Sequence, residues 1–485
     1  MRRSRQLLLP PLKRWGRPLT AVCAALLLQA CAQLPDLGER PQSQPVDAFA
    51  STASLQAPKA DWPVDAWWTV YGDAQLNALI DEALRGSPDM AAATARLQRA
   101  QAMTELSNSA LKPQVSANAA ISEDKLSYNY LTPRSMTPSG MNDYGRVTLN
   151  VQWELDFWGK NRAALSAATS ELEARRAELA QTRLLLSSGV ATTYAQLGLL
   201  MANRDTAVKL LDIRRTTATL MAERLANELE TRGSLREADA RRAAAEGTLL
   251  VLDEQIALVR NRLAVLLGAG PDRGLSIAAP TWKLDHAFGL PPELAVNLLG
   301  RRPDVVAARL MVQAQDSRME QKKAEFYPNV NLSAFIGVQS LGLDKLTQSG
   351  SEVASVGPAI SLPIFTGGRL RGELRGAQAV HAELVANYNA TLAHALQEVA
   401  DSAVSQKALA QRLLKAQEVL DATAEVQRVV HNRQVAGLAN RLETLGADEA
   451  LLGSQNALTQ LHAQSFTLDI ALQQALGGGY QTAQN

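Results

Sequence analysis

The sequence predicts a mainly α protein with a membrane β-barrel portion, built from a duplicated unit of helix, β-hairpin and long helical hairpin. Three observations carry this. The stretches from Lys160 to Gly270 and from Ile364 to Asn485 contain none of the chain's 20 prolines. Proline lacks an N–H and clashes with the preceding turn, costing a helix interior about 3 kcal/mol, so its absence over such lengths marks long helices. The chain also matches itself at an offset of 215 residues, and four of its segments alternate apolar and polar residues with period two.

The 485 residues carry 49 basic and 48 acidic side chains, a balance that points away from nucleic acid as a partner. Aromatics are 5%, which suits alanine-rich helices better than a compact core. The two cysteines, Cys23 and Cys31, both fall in the leader, so the mature chain has no pair for an internal disulfide.

Arg2, Arg3, Arg5, Lys13, Arg14 and Arg17 precede an apolar run from Leu19 to Leu28 that is too short to span a bilayer, the pattern of an export signal over residues 1–30. The run ends in Leu28-Gln29-Ala30-Cys31, which resembles the lipobox of bacterial lipoproteins, with Cys31 lipidated at the mature N-terminus. The alternative is ordinary cleavage to a soluble periplasmic protein. Ala32 follows in place of the aspartate that resembles an inner-membrane retention signal, so the outer membrane is the expected address. Residues 31–60, with Pro35, Pro41, Pro45 and Pro58, read as an extended tether.

At the 215-residue offset, Ser87-Pro88-Asp89 aligns with Arg302-Pro303-Asp304, and Lys112-Pro113-Gln114-Val115 with Tyr327-Pro328-Asn329-Val330, without a gap between them. The offset falls to 208 at Phe157/Phe365 and Gly159/Gly367, a length change that belongs in a loop. Gly233/Gly437 and Leu267-Gly268/Leu476-Gly477 are read as continuing the match. The chain is two copies of one unit.

Each copy opens with a helix closed by proline, Asp89 to Leu111 and Asp304 to Phe326 (segments 61–112 and 271–327). Two strands follow in each (113–157 and 328–366). Val115, Ala117, Ala119 and Ile121 alternate with polar or small residues, and Val147, Leu149, Val151, Trp153, Leu155 and Phe157 alternate with Thr148, Asn150, Gln152, Glu154 and Asp156. Val330, Leu332, Ala334, Ile336 and Val338 repeat the pattern, as do Val356, Ile360, Leu362 and Ile364. Strands of about nine to eleven residues with one apolar face suit a transmembrane barrel. Two soluble hairpins with one buried face share that alternation. Tyr128, Tyr130, Tyr144, Trp153 and Phe157 are candidates for an interfacial girdle, and Pro358 and Pro363 predict a fourth strand that is interrupted or bulged.

Four strands close no barrel, so several chains must share one: two give about eight strands and a filled bore, three give about twelve and room for a passage. The long helical hairpins occupy 158–270 and 367–478, with a tail at 479–485. Heptad spacing (Leu165, Leu172, Leu179, Leu186; Val385, Leu392, Val399, Leu413, Leu420) marks side-by-side helices, with one beat missed at Gln406. Asn161 to Thr231 spans roughly 105 Å at 1.5 Å per residue. Its return, Leu235 to Leu267, covers about half, and the short proline-closed helix is expected to stack on it.

Trp67-Trp68 with Asp73, Leu76 and Leu79-Ile80-Asp81-Glu82-Ala83-Leu84, then Arg301-Arg302-Pro303-Asp304, Ala324-Glu325-Phe326-Tyr327-Pro328, and Gly437 with Leu442, Leu445 and Ala447 resemble the TolC-like outer-membrane efflux channels. The likeness is to their lipoprotein branch, serving resistance-nodulation-division pumps. It covers the chain from about Cys31 to Tyr480. It implies a homotrimer with a twelve-stranded β-barrel in outer-membrane lipid over a long α-helical barrel, anchored by lipid and extending into the periplasm. It also implies a periplasmic adaptor (membrane fusion) protein and an inner-membrane pump. The turns around Gly233, Ser234 and Leu235, and around Gly437 and Leu438, would then form the periplasmic entrance and contact the adaptor, with Gln427, Arg428, His431 and Arg433 as candidates for its constriction.

No phosphate-binding glycine loop is present, His286, His381, His394, His431 and His462 lack metal-ligand spacing, and no serine sits in a nucleophile elbow. A passive duct, not an enzyme, is expected, with no cofactor beyond the lipid on Cys31. The competing reading is a non-conducting, lipidated periplasmic coiled-coil scaffold.

Overall fold

Duplication is written into the element lengths. In the first half α1 (Ala74–Gly86) leads into α2 (Pro88–Ser109), β1 (Gln114–Asp124), β2 (Asn142–Leu155), α3 (Lys160–Ala226) and α4 (Arg232–Leu266). After the short α5 (Asp272–Leu275), the second half holds α6 (Leu294–Arg301), α7 (Pro303–Ala324), β3 (Asn329–Leu341), β4 (Glu352–Ser361), α8 (Arg369–Val435) and α9 (Arg441–Ala475). α2 and α7 have 22 residues each, α3 and α8 have 67, and α4 and α9 have 35. Sixty-seven residues make a helix of about 100 Å. The 215-residue offset from Pro88 to Pro303 becomes 209 from Lys160 to Arg369 and stays 209 from Arg232 to Arg441. Gly437 therefore corresponds to Glu228, which corrects the pairing with Gly233 drawn from sequence.

The structure, a computed structural model, describes residues 35–36, 38–281 and 288–482. Cys31, the leader before it and His286 lie outside the described residues. The chain divides into two units: one holds residues 101–171 and 311–385 with the segment up to Gln42, the other 43–100, 172–310 and the chain from Ala386 onward.

The first unit contains one antiparallel sheet in the order β1-β2-β3-β4. Its register runs through Ala117↔Leu149, Leu149↔Ile336 and Ile336↔Ala354, so the alternating residues of all four strands share one apolar face. β4 is neither interrupted nor bulged. In an antiparallel ladder alternate residues turn their N–H and C=O toward opposite neighbours. The Gly342 N–H donates to the Asp143 carbonyl and the Gln339 N–H to that of Ser351. Continuing these patterns through the register, odd-numbered residues of β4 bond β3 and even-numbered ones face the open edge. Pro358 sits on the open side, so its missing N–H takes nothing from the β3–β4 ladder. Pro363 lies beyond the strand.

Next to the sheet, Lys322 on α7 bridges Glu325 and Glu373, at 3.0 and 2.9 Å, and Arg369 also reaches Glu373 at 2.9 Å. Hydrogen bonds from Lys322 and Arg369 hold the Glu373 carboxyl down at about 2. A depressed folded pKa contributes stability that is full above the ordinary carboxylate value of 4.5 and is lost as pH falls toward 2. Acid titration of Glu373→Gln, followed by circular dichroism, is expected to show a shallower loss of stability between those limits than the unsubstituted protein.

In the second unit the helices meet end to end through glycines. A Cβ added at Gly268, just past α4, would lie 2.3 Å from the Gly86 carbonyl at the end of α1. In the second copy a Cβ at Gly477, just past α9, would lie 2.0 Å from the Arg301 carbonyl. Both glycines have positive φ, +72° and +87°. This is the stacking of short helices expected from their lengths: α4 abuts the start of α2, and α9 the start of α7.

Beside the second junction the Arg302 guanidinium, 6% exposed, binds Asp304 at 2.6 and 3.0 Å, Glu398 at 2.5 Å and the Ala475 carbonyl at 3.1 Å. Burial works against its charge, but the two carboxylates outweigh burial and raise its pKa. The first copy has Ser87 and Gly189 at the matching positions. There an apolar cluster of Trp67, Trp68, Tyr71, Leu79, Ile80, Tyr194 and Phe466 packs instead. Inside it the Tyr71 hydroxyl donates to Asp469 at 2.6 Å, and burial followed by that carboxylate raises the phenol. Asp73 caps α1 through the Leu76 N–H and accepts from the Tyr194 hydroxyl and the Thr281 N–H. Along α8, Val385, Leu392 and Val399 are buried, and at the missed beat of Gln406 burial passes to Leu409.

Candidate functional site: the sheet faces and the hairpin turns

The four strands carry two faces of opposite chemistry. On one lie Val115, Ala117, Ala119 and Ile121 of β1, Val147, Leu149, Val151 and Trp153 of β2, Val330, Leu332, Ala334, Ile336 and Val338 of β3, and Ala354, Val356, Pro358 and Ile360 of β4. Val115, Ile121, Ile336, Val356 and Ile360 are each more than 60% exposed. A contiguous apolar surface of this kind requires a non-aqueous neighbour. The opposite face carries Ser116, Asn118 and Ser122, Arg146, Thr148, Asn150 and Gln152, Asn331, Ser333 and Gln339, and Ser355. Among the described residues, the outer edges of β1 and β4 pair with no other strand.

Aromatic side chains mark the end of the sheet from which the helices leave. Trp153 donates its indole N–H to the Leu111 carbonyl at 3.0 Å. Trp158 stacks on Tyr327 with centroids 4.8 Å apart and donates to the Pro328 carbonyl at 2.8 Å, while Phe157 stays 64% exposed. An indole with its ring on an apolar surface and its N–H satisfied suits an interface between lipid and water. The sequence reading missed the Trp158–Tyr327 pair, because β2 ends at Leu155 and the alternation that flagged Phe157 stops there. Tyr144, grouped with the girdle from sequence, falls on the polar face by register. Tyr128 sits in the β1–β2 loop, under the Arg134 guanidinium at 5.3 Å.

The two hairpin turns share one backbone design. In the second, the Gly437 N–H donates to the Gln434 carbonyl and the Leu438 N–H to that of Arg433, with Gly437 left-handed at φ +74°. In the first, the Glu228 N–H donates to Leu225 and the Leu229 N–H to Arg224, with Glu228 at φ +58°. Both are Schellman closures. The left-handed turn expected at Gly233 is thus at Glu228, and Gly233, Ser234 and Leu235 form the opening turn of α4, where Thr231 caps the Ser234 N–H. Asn440 and Glu443 cap α9 reciprocally. Leu229 at the first turn, and Val435 and Leu438 at the second, are exposed apolar residues.

The candidate constriction residues have structural engagements. Gln427 donates to Asp448 on α9 at 2.9 Å, Arg428 pairs with Glu425 one turn back at 2.7 Å, and Arg433 donates to the Leu438 carbonyl at 3.1 Å. His431 is exposed on α8. A glutamate in the left-handed region costs about 1–2 kcal/mol relative to the right-handed one; glycine would relieve that cost, but the greater entropy of its unfolded chain offsets part of the gain. Glu228→Gly is expected to strengthen this turn by up to about 1 kcal/mol, read as slower hydrogen exchange at Glu228 and Leu229.

A family model described as outer membrane efflux protein matches residues 79–269 and 294–478. The chain is 35% identical over 371 residues to the fusaric acid resistance protein FusA of Burkholderia cepacia, covering 74% of this chain and 69% of that one. It is 31% identical to the multidrug resistance outer membrane protein MdtQ of Escherichia coli, covering 94% and 96%. Among solved structures it resembles the outer membrane protein VceC of Vibrio cholerae at 44% identity and a TM-score of 0.80, covering 87% of this chain and all of that one. The outer membrane channel CmeC of Campylobacter jejuni shares the fold, with a TM-score of 0.81 at 20% identity.

Proposed function

The chain belongs to the outer membrane efflux protein family and serves as an outer-membrane channel in an efflux system, and on that premise we propose that three copies pool their strands into one duct. The observation that carries this is the four-stranded sheet with an apolar face and two open edges. Each open edge left in lipid would strand several backbone N–H and C=O groups at several kcal/mol each, so β4 of one copy pairs with β1 of the next. About twelve strands leave an aqueous bore, whereas eight would fill it. The polar face then lines the passage and the apolar face meets lipid.

The α-helical hairpins continue the passage through the periplasm. Their turns, with Leu229 beside Glu228 and Leu438 beside Gly437, present the ends that a periplasmic adaptor engages, and an inner-membrane pump supplies the energy. Gly233, Ser234 and Leu235 lie next to that contact at the start of α4. Splaying of the hairpins at Gln427, Arg428, His431 and Arg433 opens the entrance. Cys31 carries the lipid anchor. Activity is passive, without catalysis. The likeness to proteins named for multidrug and fusaric acid resistance supports small organic toxicants, acids among them, as cargo.

The test is the purified full chain in a planar lipid bilayer, with its oligomeric state measured in detergent. Stepwise conductance from a trimer is the expected result. A monomer with no conductance would instead support the scaffold reading.

A further inference from the structure

We infer that Arg146 is the charge-selecting element of the strand-lined passage and that it favours organic anions, aromatic carboxylates in particular; this rests on the trimeric channel proposed above. Arg146 lies on the polar face of β2, opposite Ala120 and Gln339. Its guanidinium carbon sits 5.2 Å from the centroid of the Phe335 ring on β3. Between these two stands Gly337, opposite Thr148. A Cβ at Gly337 would lie 2.1 Å from the Val147 carbonyl and 2.7 Å from the Thr148 Cα, so only glycine fits. That bare position is the gap the arginine crosses to reach the ring.

Among the strand residues of this face the other charged groups are Asp124 and Glu154. Glu154 is held by Lys160 at 2.5 Å, and Asp124 ends β1, accepting from the Ser122 hydroxyl at 3.1 Å. Arg146 is therefore the only cation on this face of the described strands, four residues in from the loop end of β2, and its immediate cross-strand neighbours are uncharged.

A threefold axis places three such guanidinium groups at one height. Rings of arginine favour anions in aqueous pores. A guanidinium lying over an aromatic face keeps its in-plane N–H groups free for a carboxylate, and Phe335 presents the remainder of its ring to an aromatic cargo.

The full chain in a planar bilayer under a potassium chloride gradient, and again with benzoate replacing chloride, tests this by reversal potential. Arg146→Gln is expected to lower anion over potassium permeability by about fivefold, and Arg146→Glu to reverse the preference, since removing or inverting unit charges a few ångströms from the path changes ion energies by about 1 kcal/mol or more. Arg146→Lys should keep the chloride preference and lose that for benzoate, as should Phe335→Leu. Each variant is first checked for a heat-resistant trimer, and the conservative pair decides the matter if the charge reversal does not assemble. Conducting Arg146→Gln and Arg146→Lys trimers with unaltered reversal potentials in both salts would overturn the inference while leaving the channel intact. An unsubstituted protein that conducts nothing would overturn the channel itself, and the inference with it.

Discussion

Replacing Gly477 by alanine is expected to destabilise the protein by about 3–5 kcal/mol, a large fraction of the roughly 5–15 kcal/mol that holds a typical chain folded. Two costs add. The residue has φ +87°, where an L side chain loses about 1–2 kcal/mol. The new Cβ would also stand 2.0 Å from the Arg301 carbonyl and 2.9 Å from its carbon, backbone atoms that cannot swing aside as a side chain can. α9 would have to separate from the start of α7. Gly350→Ala isolates the first cost, because Gly350 has φ +96° but open space around it. Denaturant midpoints followed by circular dichroism should fall far more for Gly477→Ala than for Gly350→Ala. Equal small losses would show that the helix ends do not bear on each other.

Arg302→Ala is expected to cost about 3–5 kcal/mol, the range for removing one member of a buried ionic cluster. The guanidinium is the buried member at 6% exposure, whereas the side chains of Asp304 and Glu398 are 25% and 47% exposed. Its removal leaves the Ala475 carbonyl without this donor and α7, α8 and α9 without the fork that joins them. Lysine offers a single ammonium in place of a planar fork, so Arg302→Lys should recover only part of the loss. Glu398→Gln should cost less than Arg302→Ala, because Asp304 still neutralises the cation and Glu398 is half in water. The same denaturant midpoints rank the three, and the reverse order would contradict the cluster described.

Much of this was readable in the residues. The absence of proline bracketed α3 with α4 and α8 with α9, because proline is excluded from helix interiors whatever the tertiary setting. Period-two alternation found all four strands, since pleating alone sends successive side chains to opposite faces. Two signals misled. Gly233 and Gly437 look alike, yet a non-glycine residue, Glu228, occupies the left-handed position that Gly437 fills. Pro358 looked like a strand breaker, because sequence cannot tell which edge a residue's N–H faces.

Periodicity, proline placement and internal repetition, then, were enough to determine the duplicated architecture and, with the family resemblance, the outer-membrane duct. They are local properties, set by backbone sterics and by which face of each element is apolar. Only the tertiary structure decided the glycine contacts where helices meet end to end, the seating of Arg302 among three helices, and the reach of Arg146 across Gly337 to Phe335. Each of these joins residues distant in sequence, and none leaves a periodic trace because a single contact at a single position has no period.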